Sequence, residues 1–145
     1  MNIQQILQSK DLNAIFSVSP ETTVFAALEI MAEKNIGALL VMENGKLAGI
    51  FSERDYARKI ILKGKISKDT LLSEVMTSKL ITIKPDDKLE LAMEIMSEKH
   101  IRHLPVLKGE DLVGIISIND VVKAIIMEQK NRIASLENYI TGSYG

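Results

Sequence analysis

Cysteine is absent from all 145 residues. That excludes disulfide frameworks, iron–sulfur clusters, thiolate zinc sites and cysteine nucleophiles, and it suits a reducing compartment. Tryptophan is also absent and aromatics make up only 4%, too few to build the stacking platforms that hold single-stranded nucleic acid. Positive charge is not in excess. The 18 Lys+Arg stand against 19 Asp+Glu, for a formal net charge of -1, so the basic footprint of a nucleic-acid binder is missing, although a small local patch can still exist. No stretch approaches the ~18–20 continuous apolar residues of a membrane span. The start, Met1-Asn2-Ile3-Gln4-Gln5-Ile6-Leu7, has no basic region ahead of an apolar run and does not read as a secretory signal. The expectation is a cytoplasmic protein with neither nucleic acid nor membrane as a partner. Hydrophobic residues make up 46% and charged residues 26%, enough for a real core in one ordinary domain or two very small ones.

The informative feature is a repeat. Residues 16–61 and 81–126 align without a gap, and 17 of the 46 positions are identical, among them Pro20/Pro85, Met31/Met96, Leu39/Leu104, Gly49/Gly114, Ser52/Ser117 and Asp55/Asp120. The chain is a tandem duplication. In the first copy Phe16-Ser17-Val18 predicts a short strand stopped by Pro20. Thr22 or Thr23 can cap the next helix, whose apolar face is Val24, Ala27, Leu28 and Met31, and Asn35 or Gly37 ends it. Ala38–Met42 and Lys46–Phe51 predict a hairpin closed by Asn44-Gly45. Ser52 then caps a second helix, with Asp55 at its third position, running to about Leu62. The second copy repeats this, with a turn at Lys108–Asp111 and a last helix from about Asn119 into the 130s. The expected fold is α/β (α+β): two βαββα units about a pseudo-two-fold axis, since one unit is too small to bury its faces alone. The expected segments are 1–66, the first repeat with an N-terminal helix; 67–79, a linker with an apolar helical piece at Leu71–Met76; 80–130, the second repeat; and 131–145, a helix end and tail.

The sharpest local pattern is the strand-to-helix junction of each copy, Gly49-Ile50-Phe51-Ser52-Glu53-Arg54-Asp55 and Gly114-Ile115-Ile116-Ser117-Ile118-Asn119-Asp120. Glycine allows close backbone approach, a hydroxyl and free N–H groups at a helix start favour an anion, and a carboxylate one turn on can accept both hydroxyls of a ribose. The same residues also make a capping box, which needs no ligand. Both readings stand on the motif alone. His100 and His103, the only histidines, are three apart with no cysteine and make a poor metal site. A Ser117–His103–Asp120 triad can be drawn, but Ser117 lacks a Gly-x-Ser-x-Gly elbow and Ala38 stands where the first copy would need histidine. No catalytic residue, no metal and no enzyme activity is expected.

A duplicated βαββα unit closing on Gly-x-x-Ser-x-x-Asp resembles a pair of cystathionine-β-synthase (CBS) domains, a Bateman module. The resemblance spans roughly residues 10–130. It is nearest to small stand-alone bacterial CBS-pair proteins, through Ser52–Lys59, Ile101–Val106 and Leu136–Gly142. It implies a regulatory module that binds an adenosine-containing ligand (AMP, ADP, ATP, NAD or S-adenosylmethionine) in clefts between the repeats and switches a homodimer. The alternative is a structural or interaction protein with no physiological ligand. It implies that Asp55 and Asp120 bind the ribose hydroxyls and that Ser52 and Ser117 sit near ribose or phosphate. Ser17, Val18 and Pro20, with Thr82, Ile83 and Pro85, would flank the adenine. Ala38 and Leu39, with His103, Leu104 and Pro105, would line the opposite wall. The copies differ at Arg54/Asn119, Arg58/Lys123, Gly37/Arg102 and Ala38/His103. Arg54, Arg58 and Arg102 suit phosphate, or Arg54 and Arg58 are solvated helix-face charges, and the two clefts are expected to bind unequally. The last helix carries Val121, Val122, Ile125, Ile126, Gln129, Ile133 and Leu136 at helical spacing, for its own body or for a homodimer.

Overall fold

The computed structural model describes residues 1–10 and 15–140. The expected tail beyond Ile140 lies outside the described residues. The chain divides into two compact units. One holds the first repeat, Ala14–Thr82, with Leu107–Val113; the other holds Met1–Asn13, most of the second repeat as Ile83–Val106, and Gly114–Gly145.

In the first unit β1 (Ser17–Val18) runs parallel to β2 (Ala38–Glu43), with Ser17 opposite Leu40 and Val18 opposite Val41. Between them lies α2 (Val24–Lys34). The Thr23 hydroxyl accepts the Ala26 N–H at its start, and Asn35 ends it in the left-handed conformation at φ 53°, which asparagine tolerates. Asn44 and Gly45 both have positive φ, 53° and 77°, the two-residue turn that matches strand twist. They return the chain into β3 (Lys46–Ser52), antiparallel to β2 with a bulge at Val41/Met42. Leu39 and Val41 of β2, Phe51 of β3, and Val24, Ala27 and Met31 of α2 form the core with Ile60, Leu72 and Val75. The helix after β3 starts as α3 (Glu53–Asp55) and widens into a π-helical turn at Tyr56–Ile61, where the Leu62 N–H reaches back five residues to the Ala57 carbonyl at 3.1 Å. The linker supplies α4 (Leu72–Val75).

The second unit contains α1 (Ile3–Ser9), α5 (Leu89–Lys99) and α6 (Ile118–Ile140), with most of the hairpin formed by β4 (His103–Lys108) and β5 (Asp111–Ser117). Its equivalent of β1 is not a strand. Ile83 makes a single parallel bridge to Val106. The cause is Pro105. In the first repeat the Leu40 N–H donates to the Phe16 carbonyl, whereas at the aligned position Pro105 has no N–H, and only the Ile83 N–H to Pro105 carbonyl bond remains, at 3.0 Å. The predicted βαββα order therefore loses its first strand in the second copy.

The sequence reading grouped α1 with the first repeat, in 1–66. Its bonds are with the second: the Ile3 and Gln4 N–H groups donate to the carbonyls of Asp87 and Pro85, and Leu89 N–H to that of Met1. Conversely α4, which precedes the second repeat, seals the first, where Leu72 and Ser73 N–H donate to Thr22 and Pro20 carbonyls. Each repeat is thus completed by the segment that precedes the other. The junction glycines show why they are glycines. A Cβ on Gly49 would lie 2.8 Å from Met76 Sδ and 3.0 Å from the Thr77 carbonyl, where Ile50 and Thr77 exchange both backbone bonds. A Cβ on Gly114 would lie 2.7 Å from a methyl of Leu7.

Gly49→Ala is expected to destabilise by about 1–3 kcal/mol, the usual cost of overpacking, because a backbone carbonyl blocks it. Gly114→Ala should cost less, because a leucine methyl can swing aside. Urea unfolding of both variants checks the order.

Candidate functional site

The strand register builds the first junction. Ala38 lies opposite Ser52 and Leu39 opposite Phe51, and the Glu53 N–H donates to the Gly37 carbonyl at 3.1 Å. The entry of β2 therefore meets the start of α3, with β1 on the other side of β2. Ser17, Val18, Ala38, Leu39, Ser52, Arg54, Asp55 and Arg58 all fall within this unit, as does buried Pro20. Leu39 is fully buried in the core, so only its backbone can face a ligand. Arg54 and Arg58 are exposed on the helix.

Asp55 accepts four donors. Its Oδ2 takes the Ser52 N–H at 2.9 Å and the Ser52 hydroxyl at 3.1 Å; its Oδ1 takes the Thr77 hydroxyl at 3.2 Å and lies 3.1 Å from Lys59 Nζ. The Asp55 N–H in turn donates to Ser52 Oγ. A carboxylate offers about four lone-pair sites, so Asp55 is saturated within the chain. Lys59 also donates to the Val75 carbonyl at 2.9 Å, fastening the α4 segment to the junction.

The second junction differs. Asp120 Oδ2 accepts the Ser117 N–H at 2.8 Å and lies 3.0 Å from Lys10 Nζ, while the Asp120 N–H donates to Ser117 Oγ. Its Oδ1 accepts no bond among the described residues. Lys10 also donates to the Ile115 carbonyl at 2.8 Å. Position 59 aligns with Ala124, so the second helix carries no cation four residues past its aspartate, and Lys10, just after α1, supplies one instead. Ile118 N–H donates to the Arg102 carbonyl at 2.8 Å, and Ile83 is tied to Pro105. The structure thereby brings Ile83, Pro85, Arg102, His103, Leu104, Pro105, Ser117, Asn119 and Asp120 into one unit, while Thr82 falls in the other. Leu104 and Ile83 have buried side chains. Arg102 and Asn119 are exposed.

Burial holds the His103 imidazole below its usual 6.5. Asp120 pulls the other way, and Lys10 and Arg102 push it further down. His100 plays a separate, backbone role. It ends α5 in the left-handed conformation at φ 53°, the position Asn35 holds in the first repeat. No group of three or more metal-ligating side chains occurs among the described residues. Lys10, Lys59 and Thr77 were missing from the sequence-derived site. Lys59 was readable, four residues past Asp55 on a helix. Lys10 is 105 residues from its carbonyl partner, and no local signal points to it.

Comparison with known proteins agrees with this geometry. The CBS domain family model matches residues 10–62 and 72–127, and the chain belongs to that family as a tandem pair. It is 41% identical over 150 residues to the mitochondrial CBS domain-containing protein CBSX3 of Arabidopsis thaliana, covering 98% of this chain and 73% of that one. A solved protein with CBS domains from Burkholderia ambifaria superposes with a TM-score of 0.85 at 44% identity, over 89% of this chain and 96% of that one. The CBS domain pair of protein MJ0100, solved with 5′-methylthioadenosine and S-adenosyl-L-methionine, superposes at 0.77 and 25% identity, over 88% and 98%. No helix among the described residues is long and apolar enough to cross a membrane.

Two outcomes follow. Asp55→Ala strands several donors at once and should cost about 1–3 kcal/mol, more than Asp120→Ala, which loses a cap bond and an ion pair, at about 0.5–2 kcal/mol; urea unfolding measures both. For His103 the folded pKa is the lower one, so the unfolded chain takes up its proton first as pH falls. Its contribution is complete above pH 6.5 and is lost as pH drops from there through the lower folded value. Melting curves should show this acid loss in the parent and a smaller one in His103→Gln.

Proposed function

We propose that the protein is a regulatory module, not an enzyme, that binds an adenosine-containing ligand at its strand-to-helix junctions. The observation that carries the reading is Asp120: a carboxylate anchored by the Ser117 N–H, charge-balanced by Lys10, whose Oδ1 accepts no bond among the described residues. An open carboxylate oxygen beside a serine hydroxyl is a fit for the paired O–H donors of a ribose. Arg102 nearby supplies a cation for phosphate, and Asn119 a neutral donor. The adenosine compounds bound by the MJ0100 pair support the ligand class. Candidate ligands are AMP, ADP, ATP, NAD and S-adenosylmethionine. The first junction fits less readily, because a ribose there must displace Thr77 or Lys59 from Asp55. The ligand would act by population shift, favouring one arrangement of a homodimer and so changing the surface offered to a protein partner. For location the reading keeps the cytoplasm; the Arabidopsis relative is named as mitochondrial.

A second reading, a structural or interaction protein whose junctions only cap helices, is favoured at one point, the saturated Asp55 carboxylate. The two separate in a melting experiment with millimolar AMP, ADP, ATP, NAD and S-adenosylmethionine in turn. A ligand at a hundredfold excess over its dissociation constant adds about 2.7 kcal/mol, or roughly 5–10 °C for a chain of this size. Asp120→Ala should weaken that ligand about 10- to 150-fold by calorimetry, the loss of one charged hydrogen bond, and Asp55→Ala less. A melt unmoved by all five compounds contradicts the sensor reading.

A further inference from the structure

Three groups able to carry positive charge converge on the one carboxylate of the second junction. Lys10 Nζ lies 3.0 Å from Asp120 Oδ2. His103 opens β4, and Arg102 precedes it, with the Arg102 carbonyl bonded to the Ile118 N–H at the head of α6. All of them belong to the same unit. The charged groups that face the His103 imidazole are Asp120 from α6, Lys10 from the end of α1 and Arg102 from just ahead of β4. Arg102 is exposed to water, whereas His103 is half-buried. Lys10 is held at two points, by Asp120 and by its 2.8 Å bond to the Ile115 carbonyl of β5. The backbone that carries it is fixed as well, because α1 buries Ile3, Ile6 and Leu7. The first repeat lacks this competition. Ala38 stands where the second copy has His103, and Lys59 reaches Asp55 from the same helical stretch. The histidine and the cation from a distant segment occur in the same copy.

We propose that Lys10 is a positioning residue for ligand at the second junction: by holding the Oδ2 edge of Asp120 it keeps His103 from taking that carboxylate, and so keeps Oδ1 available to a ribose in mildly acid solution. The inference rests on the ligand reading above and names the residue that sets its pH range. An imidazole that gains a proton beside a carboxylate also gains an ion pair with it, and an Asp120 paired in that way has fewer lone pairs to offer a ribose. Lys10 opposes the exchange twice. It already balances the carboxylate charge, and its own charge disfavours a second cation at the same place. Burial and Arg102 push His103 the same way, and Asp120 pulls against all three. Without Lys10 one opposing charge is gone while the pull of Asp120 remains. His103 then takes up its proton at higher pH and competes with the ribose.

Lys10→Met, Lys10→Arg and the double variant Lys10→Met/His103→Gln test this in the full chain. The calorimetric probes are 5′-methylthioadenosine and, in parallel, NAD, neither of which titrates near neutral pH. Parent affinity should change by less than about twofold between roughly pH 8 and 6, and that of Lys10→Met should fall roughly 5- to 10-fold over the same range, the loss expected when one histidine proton competes with ligand. Lys10→Arg, which keeps the charge, should stay as flat as the parent. The double variant should also be flat, whatever its absolute affinity, because the competitor is gone. A purely structural loss on removing Lys10 gives no such rescue. Proton NMR of the imidazoles should show His103 titrating at higher pH in Lys10→Met than in the parent. An unmoved His103 overturns the inference, as does a Lys10→Met protein that loses affinity equally at both ends of the range, or a double variant that keeps the pH dependence. Those outcomes leave the ligand reading standing, whereas a parent that binds neither probe overturns that reading and this inference with it.

Discussion

Asp55 and Asp120 each close the first turn of a helix by accepting the N–H of the serine three residues back, at 2.9 and 2.8 Å. A carboxylate at a helix start is favoured by the helix dipole, but one withdrawn from water also needs a cation beside it. That second need shapes both repeats. In the first it is met four residues along the same helix by Lys59, which also grips the Val75 carbonyl and so ties the linker to the junction. In the second the equivalent residue is Ala124, and Lys10 arrives from the segment ahead of the first repeat. The duplicated motif has kept its chemistry while its charge balance has been supplied by two different routes.

The same exchange explains the packing. Leu7 presses on Gly114, and Met76 and Thr77 press on Gly49, so a glycine that would suit a ligand's approach is already required by the chain itself. Leu7, Leu72 and Val75 are buried because each repeat alone leaves a face uncovered. A tandem duplication whose two lead segments cross over cannot lose either lead without opening the repeat at the other end of the sequence.

Much of this was legible beforehand. The ungapped repeat shows in the sequence itself, while the Asn44-Gly45 turn, a threonine cap at Thr22 or Thr23 (Thr23 in the structure) and the Ser-x-x-Asp boxes depend on residues a few positions apart, and local chemistry decides them. The lost strand near Ile83 was also readable, since Pro105 stands where Leu40 donates an N–H, yet the similarity of the two copies masked it. The crossing of α1 to the second repeat was not readable. It depends on Leu7 fitting over Gly114 and on backbone bonds to Pro85 and Asp87, all distant in sequence. Lys10 was therefore invisible as a site residue, and with it the difference between a saturated Asp55 and a half-open Asp120.

That difference makes two near-identical motifs unequal, and the ligand reading stands or falls with it. A crystal structure of the protein grown with AMP would decide the point. Ribose hydroxyls are expected within hydrogen-bond distance of Asp120 Oδ1, with Lys10 still beside Oδ2, and weaker or no occupancy at Asp55. Ligand seated first on Asp55, or bound with Asp120 untouched, would contradict it.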